Sequence, residues 1–370
     1  MHVVMLSKAL VVGAYQKKAE ELARRPDLRL TALVPAFWQE AGRRQFLEPA
    51  YTANYDLRVI PMALNGHFHL HFYPGLSGLL RRLRPDVVHV DEEPYNLATV
   101  LAVRAARQCG ARTLFFTWQN IYRRLPPPFS LFENCSLRRF DYALAGNREA
   151  VGVLRRKGYR GPVAVIPQFG VDPDLYRPAD ASPERPFTAG YLGRLVEQKG
   201  PALLLEALAG LDGDWRLLLV GAGPQRDRLE GRAAAPDLAG RVSFASAVPS
   251  TAVPGVLAGL DVLVLPSLTR RNWKEQFGRV LVEAMACRIA VIGSDSGEIP
   301  NVIGDAGLVF PEGDVAALRA CLGRLMSDPG ERRRLGALGR ERVLANYTQA
   351  RVADQTYRVY QELASRARCP

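Results

Sequence analysis

Cysteine is scarce in this chain of 370 residues. Five are present, Cys109, Cys135, Cys287, Cys321 and Cys369, odd in number and widely spaced. That pattern argues against a disulfide framework and a cysteine zinc site, and for reduced thiols in a cytoplasmic setting. No apolar run approaches the roughly 20 residues of a membrane span. The opening MHVVMLSKALVVGAY faintly imitates a signal peptide, but Lys8 interrupts it and no basic region precedes it. It reads as a first strand. Histidine is equally sparse, and three of the five fall at period two in His67, His69 and His71. On a strand they would share a face, and three histidines can bind zinc. No Asp, Glu or Cys lies within that run, so a plain strand or lid is the expectation. Aromatics interleaved with the basic residues are few, which speaks against nucleic acid as a partner. No internal repeat is found.

Two further motifs are incomplete. Gly221–Ala222–Gly223 follows a strand, but a dinucleotide fingerprint needs glycine where Arg226 stands, so an NAD reading is weak. Asp172–Pro173–Asp174 and Asp212–Gly213–Asp214 formally match an Asp-x-Asp metal motif. Both sit beside turn formers and read as turn caps. No metal is expected.

What is present is ordinary globular material, 48% hydrophobic and 23% charged, and long enough for two domains with full cores. Charge is uneven. Residues 1–172 carry 24 Lys and Arg against 14 Asp and Glu, so most of the net +12 lies in the first half. Much of it comes in pairs such as Arg81–Arg82 and Arg123–Arg124. An anionic partner is one reading, either nucleic acid, an anionic lipid surface or a phosphorylated substrate. Solvated helix faces decorated with arginine are the other.

Along the chain, short apolar runs alternate with amphipathic stretches, the mark of βαβ units. Strands are read at His2–Leu6, Leu30–Val34, Leu57–Ile60, Asp86–Val90, Thr113–Phe116, Tyr142–Ala145 and Val163–Ile166. Asp172 to Pro186, rich in proline, reads as an interdomain linker. A second series of strands begins at Thr188–Leu192. Its centre is Glu275–Gln276–Phe277–Gly278–Arg279 and the apolar run Val280 to Ala286, a buried helix that contains Glu283. A carboxylate inside such a helix costs several kcal/mol unless hydrogen-bonded. Ligands of open α/β sheets bind beyond the strand carboxyl ends, near helix N-termini. Two carboxylates eight residues apart there suit a polyol. The plainer alternative is a solvent-exposed Glu275 and a Glu283 paired with an arginine.

Glu275-x7-Glu283, with Phe277–Gly278 after the first Glu, Glu283–Ala284–Met285–Ala286, and Gly293–Ser294 beyond, resembles the signature of family 4 glycosyltransferases, also called group 1. Gly193–Arg194, Lys199–Gly200, Pro300 and Asp305–Val309 extend the resemblance from Tyr191 to about Tyr347. It is looser over the first half. The resemblance implies the GT-B fold, α/β with two Rossmann-like domains facing across a cleft. An acceptor-binding domain would span 1–172 plus a C-terminal helix at 350–370, and a donor-binding domain 173–349. It implies retaining transfer of a sugar from a UDP- or GDP-type nucleotide donor to an acceptor hydroxyl, with no cofactor and no metal. Partners would be the nucleotide sugar, a sugar or lipid-linked acceptor and an anionic membrane surface, in cell-envelope assembly. Arg194 and Lys199 would hold the donor diphosphate, Glu283 the ribose and Glu275 the sugar. Gly193 and the backbone amides of Phe277 and Gly278 would lie near the sugar or phosphate. Gly13, Glu92, Glu93, Gln119 and Asn120 are placed on the acceptor side by position. The chain departs from the family where many members carry a histidine. It reads Trp118–Gln119–Asn120 there, so any acid–base role of that histidine is missing, and Gln119 could only donate a hydrogen bond. Two rival classes are a GT-B-like phosphorylase, for which no pyridoxal-lysine context is recognisable, and a basic nucleic-acid-binding protein.

Overall fold

Apolar runs too short for helices become strands buried on both faces, and parallel pairing follows because a helix connects most successive pairs. The structure, a computed structural model, describes residues 1–40, 43–179 and 185–365. Cys369 and residues 180–184 of the proline-rich segment lie outside the described residues. The chain forms two compact units, Met1–Gly170 with Gln349–Pro370, and Val171–Thr348.

In the first unit the parallel strands are β1 (His2–Leu6), β2 (Arg29–Val34), β5 (Asp56–Val59), β6 (Val87–Val90), β7 (Arg112–Thr117), β8 (Tyr142–Ala145) and β9 (Val163–Val165). Their order is β5-β2-β1-β6-β7-β8-β9. Met5 pairs with Ala32 on one side and His89 on the other. The order reverses direction between β1 and β6, the switch point where open sheets leave a crevice. An antiparallel hairpin, β3 (Phe37–Glu40) and β4 (Arg43–Phe46), is inserted after β2. The helix Gln349–Ser365 returns to this unit and buries Val352, Ala353, Val359, Tyr360 and Leu363 in its core.

The second unit repeats the plan with β10 (Phe187–Leu192), β11 (Trp215–Val220), β12 (Val242–Ala245), β13 (Val262–Leu265), β14 (Ala290–Ser294) and β15 (Leu308–Phe310). The order is β12-β11-β10-β13-β14-β15, with its switch point between β10 and β13. Val280 to Ala286 lies in the helix Arg279–Ala286, as its apolar run requires.

Two expectations are corrected. Residues 64–71 form successive turns and not a strand, with His67 and His71 N–H bonded back to Leu64 and His67 carbonyls. Turns scatter the three histidines: His71 is fully buried while His67 is exposed, so they present no common face. The segment from Asp172 is no free linker either, because Tyr176 is 2% exposed and packs in the second unit's core.

Candidate functional site

In the second unit, the turn after β10 carries Gly193 and Arg194, and a short helical turn brings Lys199 over the end of β13. The Arg194 side chain is exposed. Its backbone is fixed from three directions. Tyr191 Oη donates to the Arg194 carbonyl at 2.6 Å, Gly193 N–H reaches Val220 at 3.0 Å, and Leu195 N–H reaches Ala222 at 2.9 Å. Gly221 permits this closeness, since a Cβ there would sit 1.9 Å from the Gly193 carbonyl oxygen. That close approach of two backbones explains the glycine pair after β11.

Lys199 Nζ donates to Glu275 Oε2 at 2.6 Å, and Ser267 Oγ, just past β13, donates to the same oxygen at 2.8 Å. Glu275 is 6% exposed. The alternative of a solvent-exposed Glu275 is therefore excluded. Trp273 lies beside the lysine, its ring centroid 5.2 Å from Nζ. Eight residues on, Glu283 is also buried and forms an ion pair with Arg279 at 2.8 Å. The arginine partner of the plainer reading is present. Tyr176 Oη also donates to Glu283 Oε1, at 3.2 Å. Burial nevertheless pushes the Glu283 carboxyl up, against the pull of Arg279 and the tyrosine. Gly278 starts the helix with a positive φ of 77°, which a side chain would strain. Phe277 packs edge-on against Tyr347 with centroids 5.6 Å apart.

The first unit holds a different cluster at its own switch point. Ser7 and Lys8 follow β1, and Asp91, Glu92 and Glu93 follow β6. Ser7 Oγ and Gln168 Nε2 donate to Asp91 Oδ2 at 2.7 and 3.0 Å. Burial raises the Asp91 carboxyl, with the buried Lys18 ammonium pulling the other way. Glu92 forms an ion pair with Lys8. It also accepts from Tyr73 Oη at 3.4 Å and Asn96 Nδ2 at 3.3 Å, with His71 Nε2 3.5 Å away. Burial opposes ionisation of Glu92, yet Lys8 and His71 win and hold it down at about 2. Glu93 goes the other way. Its oxygens accept from Thr117 Oγ1 at 2.6 Å and Trp118 N–H at 2.8 Å, but burial lifts it to about 7.

These groups floor a cavity of about 660 Å³ within the first unit, walled by Tyr15, Trp38, Phe68, Phe116 and Trp118. Of the acceptor-side expectations, Glu92 and Glu93 line it. Gly13, Gln119 and Asn120 do not. Gly13 packs tightly on Glu48 and Ala50. Trp118, not Gln119, occupies the cavity wall, and its Nε1 donates to Gln168 at 2.9 Å. Lys8, Trp38 and Tyr15 escaped the sequence reading, as did Ser267, Tyr176 and Trp273 in the second unit. The interruption of an apolar N-terminal run by Lys8 was the one available signal.

Among the described residues no three His, Cys, Asp or Glu side chains are grouped to hold a metal. Asp172 and Asp174 form a local turn, Asp174 N–H donating to Asp172 Oδ1 at 3.0 Å. Among the described residues no helix is long and apolar enough to cross a membrane.

The same architecture recurs in solved structures. One is HepE from Anabaena in complex with UDP, which superposes with a TM-score of 0.74 over 98% of this chain and 100% of that one, at 17% identity. Two parallel-sheet Rossmann-like units of this kind are the GT-B fold of glycosyltransferases. Residues 173–342 match the family model "Glycosyl transferases group 1", and residues 13–168 match "Glycosyl transferase 4-like domain". The chain is 31% identical to an alpha-maltose-1-phosphate synthase of Mycolicibacterium smegmatis, over 80% of this chain and 79% of that one. It is 32% identical to the phosphatidyl-myo-inositol mannosyltransferase of the same organism, over 83% and 80%. The chain belongs to the family 4, or group 1, glycosyltransferases.

Proposed function

We propose that this glycosyltransferase is retaining and takes a sugar from a UDP- or GDP-type donor to an acceptor hydroxyl without metal or cofactor. The observation that carries the reading is the Lys199–Glu275 pair, its carboxylate buried, with the exposed Arg194 on the same turn after β10, all at the β10/β13 switch point. Breaking the anomeric C–O bond leaves a second negative charge on the departing diphosphate. Arg194 and Lys199 are fixed cations that stabilise that charge as it develops. Glu275 receives sugar hydroxyls. At Glu283 the oxygen Oε1 takes both Arg279 and Tyr176, and the carboxylate accepts a ribose hydroxyl. Gly193 and the amides of Phe277 and Gly278 line the sugar–phosphate junction. No side chain is assigned as a covalent nucleophile. The acceptor oxygen attacks from the face the diphosphate leaves, and its proton passes to the departing phosphate oxygen.

The acceptor side is the first unit, and the setting is cell-envelope assembly on the cytoplasmic face of a membrane. Arg81, Arg82, Arg123 and Arg124 are exposed. Near an anionic bilayer each basic residue contributes roughly 1 kcal/mol, enough together for reversible docking. Sedimentation with anionic vesicles at low salt should carry the protein down, and salt should release it. Equal, negligible binding to anionic and neutral vesicles would remove the membrane from this reading.

The chemistry is tested by screening UDP-, GDP- and ADP-sugars for hydrolysis, with and without EDTA. Turnover that survives EDTA is expected. Loss restored by Mn²⁺ would overturn the metal-free mechanism, and no nucleotide binding at all would overturn the donor site.

A further inference from the structure

The cavity of the first unit has aromatic walls and a polar floor most of whose oxygens already have partners, the buried Asp91 Oδ1 being the exception. Asp91 Oδ2 is engaged by Ser7 and Gln168, Glu92 by Lys8, Tyr73 and Asn96, and Glu93 by Thr117 and the Trp118 amide. Even the Lys8 ammonium lies against rings, 5.3 Å from the Trp38 centroid and 4.9 Å from that of Phe68. A fully hydroxylated oligosaccharide placed here would give up water on every face and recover few hydrogen bonds, which costs free energy for each unpaired hydroxyl. An apolar body gives up no hydrogen bonds of its own and gains contact with five aromatic rings, provided that it lies on the aromatic side of the cavity. About 660 Å³ is the volume of a drug-sized ligand pocket, more than one sugar ring requires.

The rim continues the same chemistry. Phe68 lines the cavity yet is 45% exposed, and the segments that bear the wall residues also expose Phe46 on β4 and Leu64 at the start of the turns. Phe46 and Phe37 face each other across the β3–β4 hairpin with centroids 5.7 Å apart. The hairpin also supplies Trp38, Glu40, Arg44 and Gln45 to the lining, one ring and three polar side chains, so the cavity is aromatic on one side and polar on the other.

We infer that the acceptor taken by this cavity is amphipathic, a compact hydroxyl-bearing head joined to an apolar ring or chain that lies between Tyr15, Trp38, Phe68 and Trp118. This rests on the reading of the first unit as the acceptor side and specifies what class of acceptor that is. The hydroxyls of the head sit near Glu93 and Gln168. The apolar part leaves past Phe68. A flat aglycone and an acyl or prenyl chain share this chemistry, and the experiment separates them.

Binding to the full chain is measured by calorimetry for methyl, phenyl and octyl β-glucosides and for maltotriose, each below any micelle concentration. The same head with a larger apolar group should bind at least 10-fold tighter than methyl glucoside or maltotriose. Phenyl ahead of octyl identifies a ring aglycone; octyl ahead of phenyl identifies a chain. Phe68→Ala, at an exposed position that leaves the core intact, should remove most of the gain from the apolar group, and Trp38→Ala should do the same if it folds. UDP and GDP binding is measured in the same samples. Nucleotide binding with no gain from the apolar group overturns this inference alone, whereas absent nucleotide binding overturns the donor reading. Equal affinity for all four probes, or preference for maltotriose, overturns the amphipathic acceptor.

Discussion

The two units place a lysine–glutamate pair at the same topological position and surround it with different chemistry. Lys199–Glu275 stands at the β10/β13 switch point, Lys8–Glu92 at the β1/β6 switch point. Around the first pair are an exposed arginine, a serine hydroxyl, backbones brought close by glycine and a single ring, Trp273. Around the second are Trp38, Phe68, a buried histidine and amide and phenol donors. The fold supplies a crevice in both cases. The neighbours decide whether that crevice suits an anion or an apolar body.

The sharpest way to break the comparison is to remove each lysine. Lys199→Ala should lower turnover on the order of 10²-fold or more, because a fixed charge on the leaving diphosphate is lost. Its stability should change little beside that. Lys8→Ala should show the reverse, a loss of about 2 kcal/mol in urea unfolding, since it strands the Glu92 carboxylate among rings; partial exposure of Lys8 keeps the cost below that of a fully buried pair. Equal kinetic and stability profiles for the two variants would show that the pairs do the same job.

The carboxylates sharpen the picture within the second unit. Glu283→Gln should raise donor KM about 10-fold with kcat little changed, as expected for a group that holds the ribose equally in ground and transition states. Glu275→Gln should lower kcat by a similar factor, as expected for a group beside the reacting sugar. Steady-state kinetics with each accepted donor measures both, and wild-type values in both variants would remove the two residues from the site.

The second unit was more legible in the sequence than the first, for a physical reason. Its key residues lie on short local segments, Gly193 to Gly200 and Glu275 to Glu283, whose spacing survives in one dimension. Buried parallel strands were legible in both units because they read as plain apolar runs. The cavity of the first unit was not, because it is assembled from residues far apart in the chain. Lys8 meets Glu92 across 84 positions, and Trp118 meets Gln168 across 50. Trp118 was passed over for Gln119 because one residue's difference at a strand end decides which side chain faces the crevice. The three histidines misled because period two implies a common face only if the backbone is extended, and here it turns.

The smallest expected effect concerns Glu93, whose environment differs from that of Glu92 one residue away. Burial lifts Glu93 to about 7, against its bonds from Thr117 and Trp118 and the charge of Lys8, while Glu92 is held at about 2. An unfolded glutamate titrates near 4.3. Between those values the folded chain holds a proton on Glu93 that the unfolded chain has released, so stability falls as pH rises from about 5 to about 8. Glu92 does not contribute in that window, since its depressed pKa gives stability that is lost only as the pH falls below about 4 toward 2. His2 and His89 oppose Glu93. Burial lowers both, so the unfolded chain binds more protons there and stability rises with pH. The difference between wild type and Glu93→Gln cancels the histidines. Glu93 is partly exposed, so screening limits its share to about 1 kcal/mol. Urea unfolding of both proteins at pH 5 and pH 8 should therefore show the variant gaining about 1 kcal/mol relative to wild type at the higher pH. A difference that does not move with pH would mean that Glu93 is ionised at pH 5, and that the floor of the cavity is wetter than its aromatic walls suggest.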